Sequence, residues 1–178
     1  MTRIINFFGA PGSGKTTATA EAFVRAKKKG YSAHLVQEYA SELILQGDLE
    51  TLKDQSKLFD EQLRRIKQAD SKTDFIMVDS PLLLNIIYHR YRQNTPDTNF
   101  EQKVLNSHKA FDSTNVFLKY NPEYYTSKGR VTSRDESFVI ENKIKDFLKS
   151  AQVPFIEIDN FQELESCLDN IIEKGVKK

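Results

Sequence analysis

Gly9 to Thr17, read as GAPGSGKTT, places three glycines, one lysine and two threonines within nine residues. Gly9, Gly14, Lys15 and Thr16 satisfy the pattern G-x-x-x-x-G-K-[ST]. Glycines let a backbone turn tightly, so that its N–H groups converge on phosphate oxygens. The stretch Gly9, Ala10, Pro11, Gly12, Ser13 and Gly14 is therefore read as a phosphate cradle. Lys15 reaches the β- and γ-phosphates, the Thr16 hydroxyl ligates Mg²⁺, and Ser13 and Thr17 add hydrogen bonds. A chance glycine-rich turn is the competing reading. Against it, the stretch follows an apolar strand and opens a helix, whose positive end aims at the same phosphates.

A phosphate cradle serves either hydrolysis or transfer, and the other polar residues decide between them. Asp79 ends the apolar run FIMVD. A carboxylate there holds Mg²⁺ through water, accepts a proton from an attacking hydroxyl, or caps the next helix. Glu38 ends HLVQE and either binds or deprotonates an acceptor, or satisfies the start of a helix. Tyr39 either stacks on a flat ring or joins the core. Asn121 to Ser137 is polar and carries Lys128, Arg130 and Arg134. As a lid over the nucleotide, its arginines would neutralise charge on the transferred group and exclude water, which a transferase needs. As a plain surface loop it would do neither.

These residues need elements to hold them. Strands are expected over Arg3–Phe8, Ser32–Glu38, Asp74–Val78, Asn115–Lys119 and Pro154–Ile158. Helices are expected over Lys15–Lys29, Tyr39–Gln46, Leu82–Tyr91 and Phe161–Lys174. A single long one is expected over Glu50–Ala69, where Leu52, Phe59, Leu63 and Ile66 share a face. Thr98 with Glu101, Ser133 with Glu136, and Asn160 with Glu163 have capping-box spacing. Alternating strands and helices make an α/β domain, a parallel sheet covered on both faces, with ligands at the carboxyl ends of the strands. The chain reads as one domain over residues 1–178, the lid lying at about 121–136.

Composition excludes other classes. With 39% hydrophobic and 29% charged residues, this is an ordinary globular chain, and a net charge of +1 gives no global field toward DNA or a membrane. One cysteine, Cys167, precludes an internal disulfide and sits at helical spacing among Leu164, Leu168 and Ile171. No apolar run is long enough to span a bilayer, so a cytoplasmic protein is expected.

FFGAPGSGKTT, VQEYASELI, FIMVDSPLLLN and KGRVTSRDES, in that order, resemble the P-loop nucleoside and nucleotide kinases over essentially the whole chain. The nearer resemblance is to ribosylnicotinamide-kinase-like and phage-encoded AAA-type ATPase/kinase families, which implies the host cytoplasm if the chain is phage-encoded. The resemblance implies the P-loop NTPase fold, with five parallel strands in the order 2-3-1-4-5. It implies ATP and Mg²⁺, with Lys15 and Thr16 in their usual roles, Asp79 on the metal or as base, Glu38 in the acceptor pocket, and Arg130 and Arg134 as lid arginines. One departure stands out. Deoxynucleoside kinases carry an arginine after the third-strand acid and thymidylate kinases show Asp-Arg-Tyr, whereas Asp79 is followed here by Ser80 and Pro81.

The acceptor stays open between three classes. The first is a free nucleoside or nucleotide, taking the phosphoryl group on a hydroxyl or phosphate. The second is a hydroxymethylated pyrimidine within DNA, which would have to leave the base stack. For it, YHRYRQNTPDTNF, with His89, Arg90 and Arg92 among aromatics, reads a base and a phosphate or tracks a strand. Arg90 is the substrate-binding candidate of this stretch. A solvated helix end is the plain alternative. The third class is a nucleotide switch, against which the lid arginines argue.

Overall fold

The computed structural model describes residues 2–93, 95–122 and 133–175. In chain order the elements are β1 (Arg3–Phe8), α1 (Lys15–Lys28), β2 (Ala33–Val36), α2 (Tyr39–Gln46), α3 (Leu49–Lys53), α4 (Gln55–Ala69) and β3 (Phe75–Asp79). Then come α5 (Leu84–Gln93), α6 (Thr98–Lys109), β4 (Ser113–Leu118), α7 (Arg134–Ser150), β5 (Ile156–Ile158) and α8 (Phe161–Gly175).

The strands form one parallel sheet in the order β2-β3-β1-β4-β5, the order implied by the resemblance. Strand side chains alternate between faces, and the core divides accordingly. Ile4, Phe8, Ile76, Val78 and Phe117 face one apolar layer with α4 to α7. Ile5, Phe7, Met77, Val116 and Leu118 face the other, against Ala18, Ala22 and Ala26 of α1 and Leu164, Leu168 and Ile171 of α8. The four-residue steps of small alanines let α1 lie close on the sheet beside the phosphate cradle. Cys167 is half-buried against this second layer. Among the described residues no helix is long and apolar enough to cross a membrane.

Two sequence expectations need correction. The long helix over 50–69 is broken at Asp54, whose carboxylate accepts the N–H groups of Ser56 and Lys57 and starts α4 afresh. Helix α6 is capped by Asp97, which accepts from Phe100 at 3.0 Å, and not by Thr98. Glu101 is drawn instead to Arg90. The Ser133–Glu136 box is formed in full. At α8 Asn160 accepts from Glu163 N–H as expected, while the Glu163 carboxylate takes Asp159 N–H.

Candidate active site

The parallel register sets the site. Asp79 lies opposite Phe7, two residues before Gly9, so the third strand delivers its carboxylate beside the loop that leaves the first. Gly9 has φ 150, and a Cβ there would stand 2.3 Å from Ser13 Oγ and 2.7 Å from the Leu118 carbonyl. Only glycine fits. Gly14, at φ 88, caps α1 directly beneath the Phe161 ring, which would be 2.8 Å from a Cβ. Lys15 is buried and donates to the Ala10 carbonyl at 2.9 Å, which folds the ammonium back over the loop. The Ser13 hydroxyl is buried without a hydrogen-bond partner. Pro11, Gly12, Gly14, Lys15, Thr16 and Thr17 wall a recess whose remaining sides are Glu38 and Tyr88.

Thr16 donates its hydroxyl to Asp79 Oδ2 at 2.6 Å. Asp79 is 3% exposed, and its Oδ1 has no hydrogen-bond partner. Burial pushes its carboxyl above the usual range; the Lys15 ammonium opposes this, the Glu38 charge adds to it, and the Thr16 hydroxyl opposes it. The chain then turns through Ser80 at φ 72, a left-handed conformation that costs a non-glycine residue about 1 kcal/mol. An orphaned carboxylate oxygen beside a threonine hydroxyl is a hard-oxygen set that fits Mg²⁺, an ion that takes one or two protein oxygens and fills its octahedron with phosphate and water. Among the described residues no group of three His, Cys, Asp or Glu side chains is placed to hold a metal.

Glu38 precedes α2 and accepts from Ser41 Oγ at 2.8 Å, while taking no helix N–H. It stands at the N-cap of α2, where a carboxylate meets the positive end of the helix, so the helix-start reading stands beside the acceptor one. It borders the phosphate recess and also a second cavity, as do Pro11 and Tyr88. That cavity runs between α2, α3, α4 and α5. Its apolar wall comes from Ile44, Leu52, Leu58 and Leu84, and its rings from Tyr39 and Tyr88. Tyr39 also has the Arg65 guanidinium 4.9 Å from its ring centre, and Arg65 is gripped by both oxygens of Glu42. Buried amides line the same cavity, from Gln55, Gln62 and Asn85. Gln62 donates to the Asp79 carbonyl at 3.2 Å, tying α4 to the end of β3.

Lys15, Thr16, Asp79 and Glu38 are thus brought together, with Tyr39 beside them. Arg90 is not. It makes a two-pronged pair with Glu101, at 2.6 Å for each bond, lies over Phe147, and lines a separate groove against α7. Arg92 lines the cavity in its place. The helix period shows why: Leu84, Tyr88 and Arg92 follow at steps of four on one face, while Arg90 is half a turn away. That signal was in the sequence, whereas the buried Gln55 and Gln62 had none. Arg134 starts α7 and donates to the Pro122 carbonyl at 2.6 Å. Arg130, Lys128 and most of the lid expected at 121–136 lie outside the described residues.

The whole fold has known counterparts. Deoxyadenosine kinase from M. mycoides, solved with the products dCMP and a flexible dCDP, superposes with a TM-score of 0.63 at 21% identity, covering 97% of this chain and 98% of that one. The same kinase with dATP gives 0.59 at 20% identity, over 96% and 99%. The YorR protein of Bacillus subtilis, in complex with phosphorylated GDP, gives 0.58 at 18% identity, over 97% and 95%. The chain therefore has the fold seen in these structures. No curated protein sequence matches it. A family model described as an AAA domain matches residues 4–163, nearly the full length, and the chain belongs to that AAA-domain family.

Proposed function

We propose that this chain is an ATP-dependent phosphotransferase that moves the γ-phosphoryl group to a hydroxyl of a nucleoside-type acceptor. The observation that carries the reading is Glu38, shared between the phosphate recess and the ring-lined cavity. A donor in the first and an acceptor in the second would meet at this carboxylate. A hydrolase needs no second cavity at that point. The same carboxylate disfavours a phosphate nucleophile, which would bring two anions together, and favours a neutral hydroxyl.

In the proposed step the acceptor oxygen attacks the γ-phosphorus in line. Its new P–O bond forms as the bond to the β–γ bridging oxygen breaks, ADP leaves, and the hydroxyl proton passes to Glu38. Ser41 orients that carboxylate. Asp79 is the weaker candidate for base, since Glu38 borders the ring-lined cavity and Asp79 does not. Lys15 bears on the β- and γ-phosphates. Thr16 and Asp79 would hold Mg²⁺, which supplies charge neutralisation on the phosphates when bound. Arg130 and Arg134 are proposed to cover the transferred group. The similarity in fold to a deoxyadenosine kinase solved with dCMP and dCDP supports a nucleoside-type acceptor.

Incubation with γ-labelled ATP and Mg²⁺ against nucleosides, nucleotides and hydroxymethylated DNA tests this. Label on a free nucleoside is the expected result. Label only in DNA would move the acceptor to a flipped base, and free phosphate alone would make the chain a nucleotide switch.

A further inference from the structure

Arginines among the described residues fall into two groups. Arg3, Arg25, Arg64, Arg65 and Arg90 each hold a carboxylate. Arg92 and Arg134 hold backbone carbonyls instead, and only Arg92 lines the acceptor cavity. Its Nη1 donates to the Leu52 carbonyl at 2.6 Å, which fixes the side chain across the gap between α5 and α3. That bond uses one of the five N–H donors of a guanidinium.

Glu38 and Arg92 are the two charged residues of the cavity wall. Glu38 stands at the phosphate recess. Arg92 lies one helical turn beyond Tyr88, the α5 residue that borders this recess, a rise of about 6 Å. The same cavity wall carries the Tyr39 and Tyr88 rings, Leu52 and Leu58, and the buried carboxamide of Gln55. A ligand in this cavity meets a carboxylate, flat apolar walls and a guanidinium.

We infer that Arg92 is a specificity residue that reads the head group of the acceptor, which presents an oxygen acceptor, an oxo or carboxylate group, to the guanidinium while its hydroxyl meets Glu38. This rests on the phosphotransferase reading of the same site. Arg92 is exposed, so water serves its donors when the head group does not; an amino group sets N–H against N–H and gains nothing there, and the preference comes from the charge-assisted bond that an oxo group gains.

The test uses two pairs of nucleosides that differ at one edge of the base, where an oxo group beside a ring N–H replaces an amino group beside a ring nitrogen acceptor: inosine against adenosine and uridine against cytidine. Transfer from γ-labelled ATP and direct binding are both measured for wild type, R92M and R92K. Wild type should favour the oxo member of each pair. R92M should lower the oxo-over-amino ratio of kcat/KM at least about tenfold, because only the oxo member loses a charge-assisted bond, whereas the lost Leu52 bond bears on both members alike. R92K, which keeps a cation, should retain part of the preference. Equal losses on both members, no loss, or a wild-type preference for the amino member would overturn the assignment of Arg92. Binding that discriminates through Arg92 without any transfer would sink the phosphotransferase reading alone. A thermal melt of ligand-free R92M reports separately on the lost Leu52 bond.

Discussion

Asp79 pays a cost in the folded chain that its neighbours only partly offset. One oxygen has the Thr16 hydroxyl, and the other is buried with nothing to bond. Burial raises its pKa, so the folded chain binds this proton more tightly than the unfolded chain does. The sign of the consequence follows. Ionised Asp79 destabilises the protein at neutral pH, and this penalty fades as pH falls through the raised pKa toward the ordinary carboxylate value. Asp79→Asn should therefore raise the melting temperature of the ligand-free protein at pH 7, with a smaller gain in acid, while transfer falls by at least about a hundredfold. A variant that is neither more stable nor less active would remove Asp79 from both roles. Lys15→Ala should likewise lower turnover by at least about a hundredfold, because the positive charge on the developing phosphate negative charge is lost. Steady-state assays with labelled ATP check both.

Helix α4 starts where the apolar period gives no reason to start. Leu52, Phe59, Leu63 and Ile66 continue smoothly across the break, so periodicity alone reads one helix. Asp54 overrides it by capping Ser56 and Lys57, and the kink puts Leu52, Gln55 and Leu58 on the cavity wall. Asp54→Ala should cost about 1 kcal/mol of stability by urea denaturation, the usual worth of an N-cap, and raise the acceptor KM more than it changes kcat. The clamp of Arg65 on Glu42 and Glu61 then joins α2 to α4. Arg64 and Arg65 hold Glu61 down at about 2, and Arg65 also lowers Glu42. Depressed carboxylates stabilise above their ordinary range and lose that contribution as pH falls, so Arg65→Met should shift the urea midpoint strongly at about pH 7 and progressively less from about pH 5 toward 2. These cases mark what the sequence makes legible. Lys15, Thr16, Asp79 and Glu38 were readable because each sits at a strand's carboxyl end or in a spaced motif. Arg90 lies off the cavity for a reason the sequence holds, the four-residue period of Leu84, Tyr88 and Arg92, whereas its pairing with Glu101 and the Arg65–Glu42 clamp are not legible there: no local pattern encodes a pairing made by packing.

The two apolar layers share one sheet, and this decides how the molecule as a whole responds to ligands. Strands β1 and β3 put alternate side chains into both layers, so neither layer can melt without exposing the other's strands. Phosphate recess and acceptor cavity both open at the carboxyl edge of that sheet and share Pro11, Glu38 and Tyr88. A ligand in either should therefore stabilise the entire domain and not a part of it. A non-hydrolysable ATP analogue with Mg²⁺ at about a hundred times its Kd should add about 2.7 kcal/mol. For a domain of this size that is a rise of about 5–10 °C in one calorimetric transition. A nucleoside acceptor should produce its own shift, and Lys15→Ala should erase the shift caused by the nucleotide while leaving that caused by the acceptor. If the melt split into two transitions with ligand moving only one of them, the layers would be unfolding separately, and the sheet would not be the unit that binding stabilises.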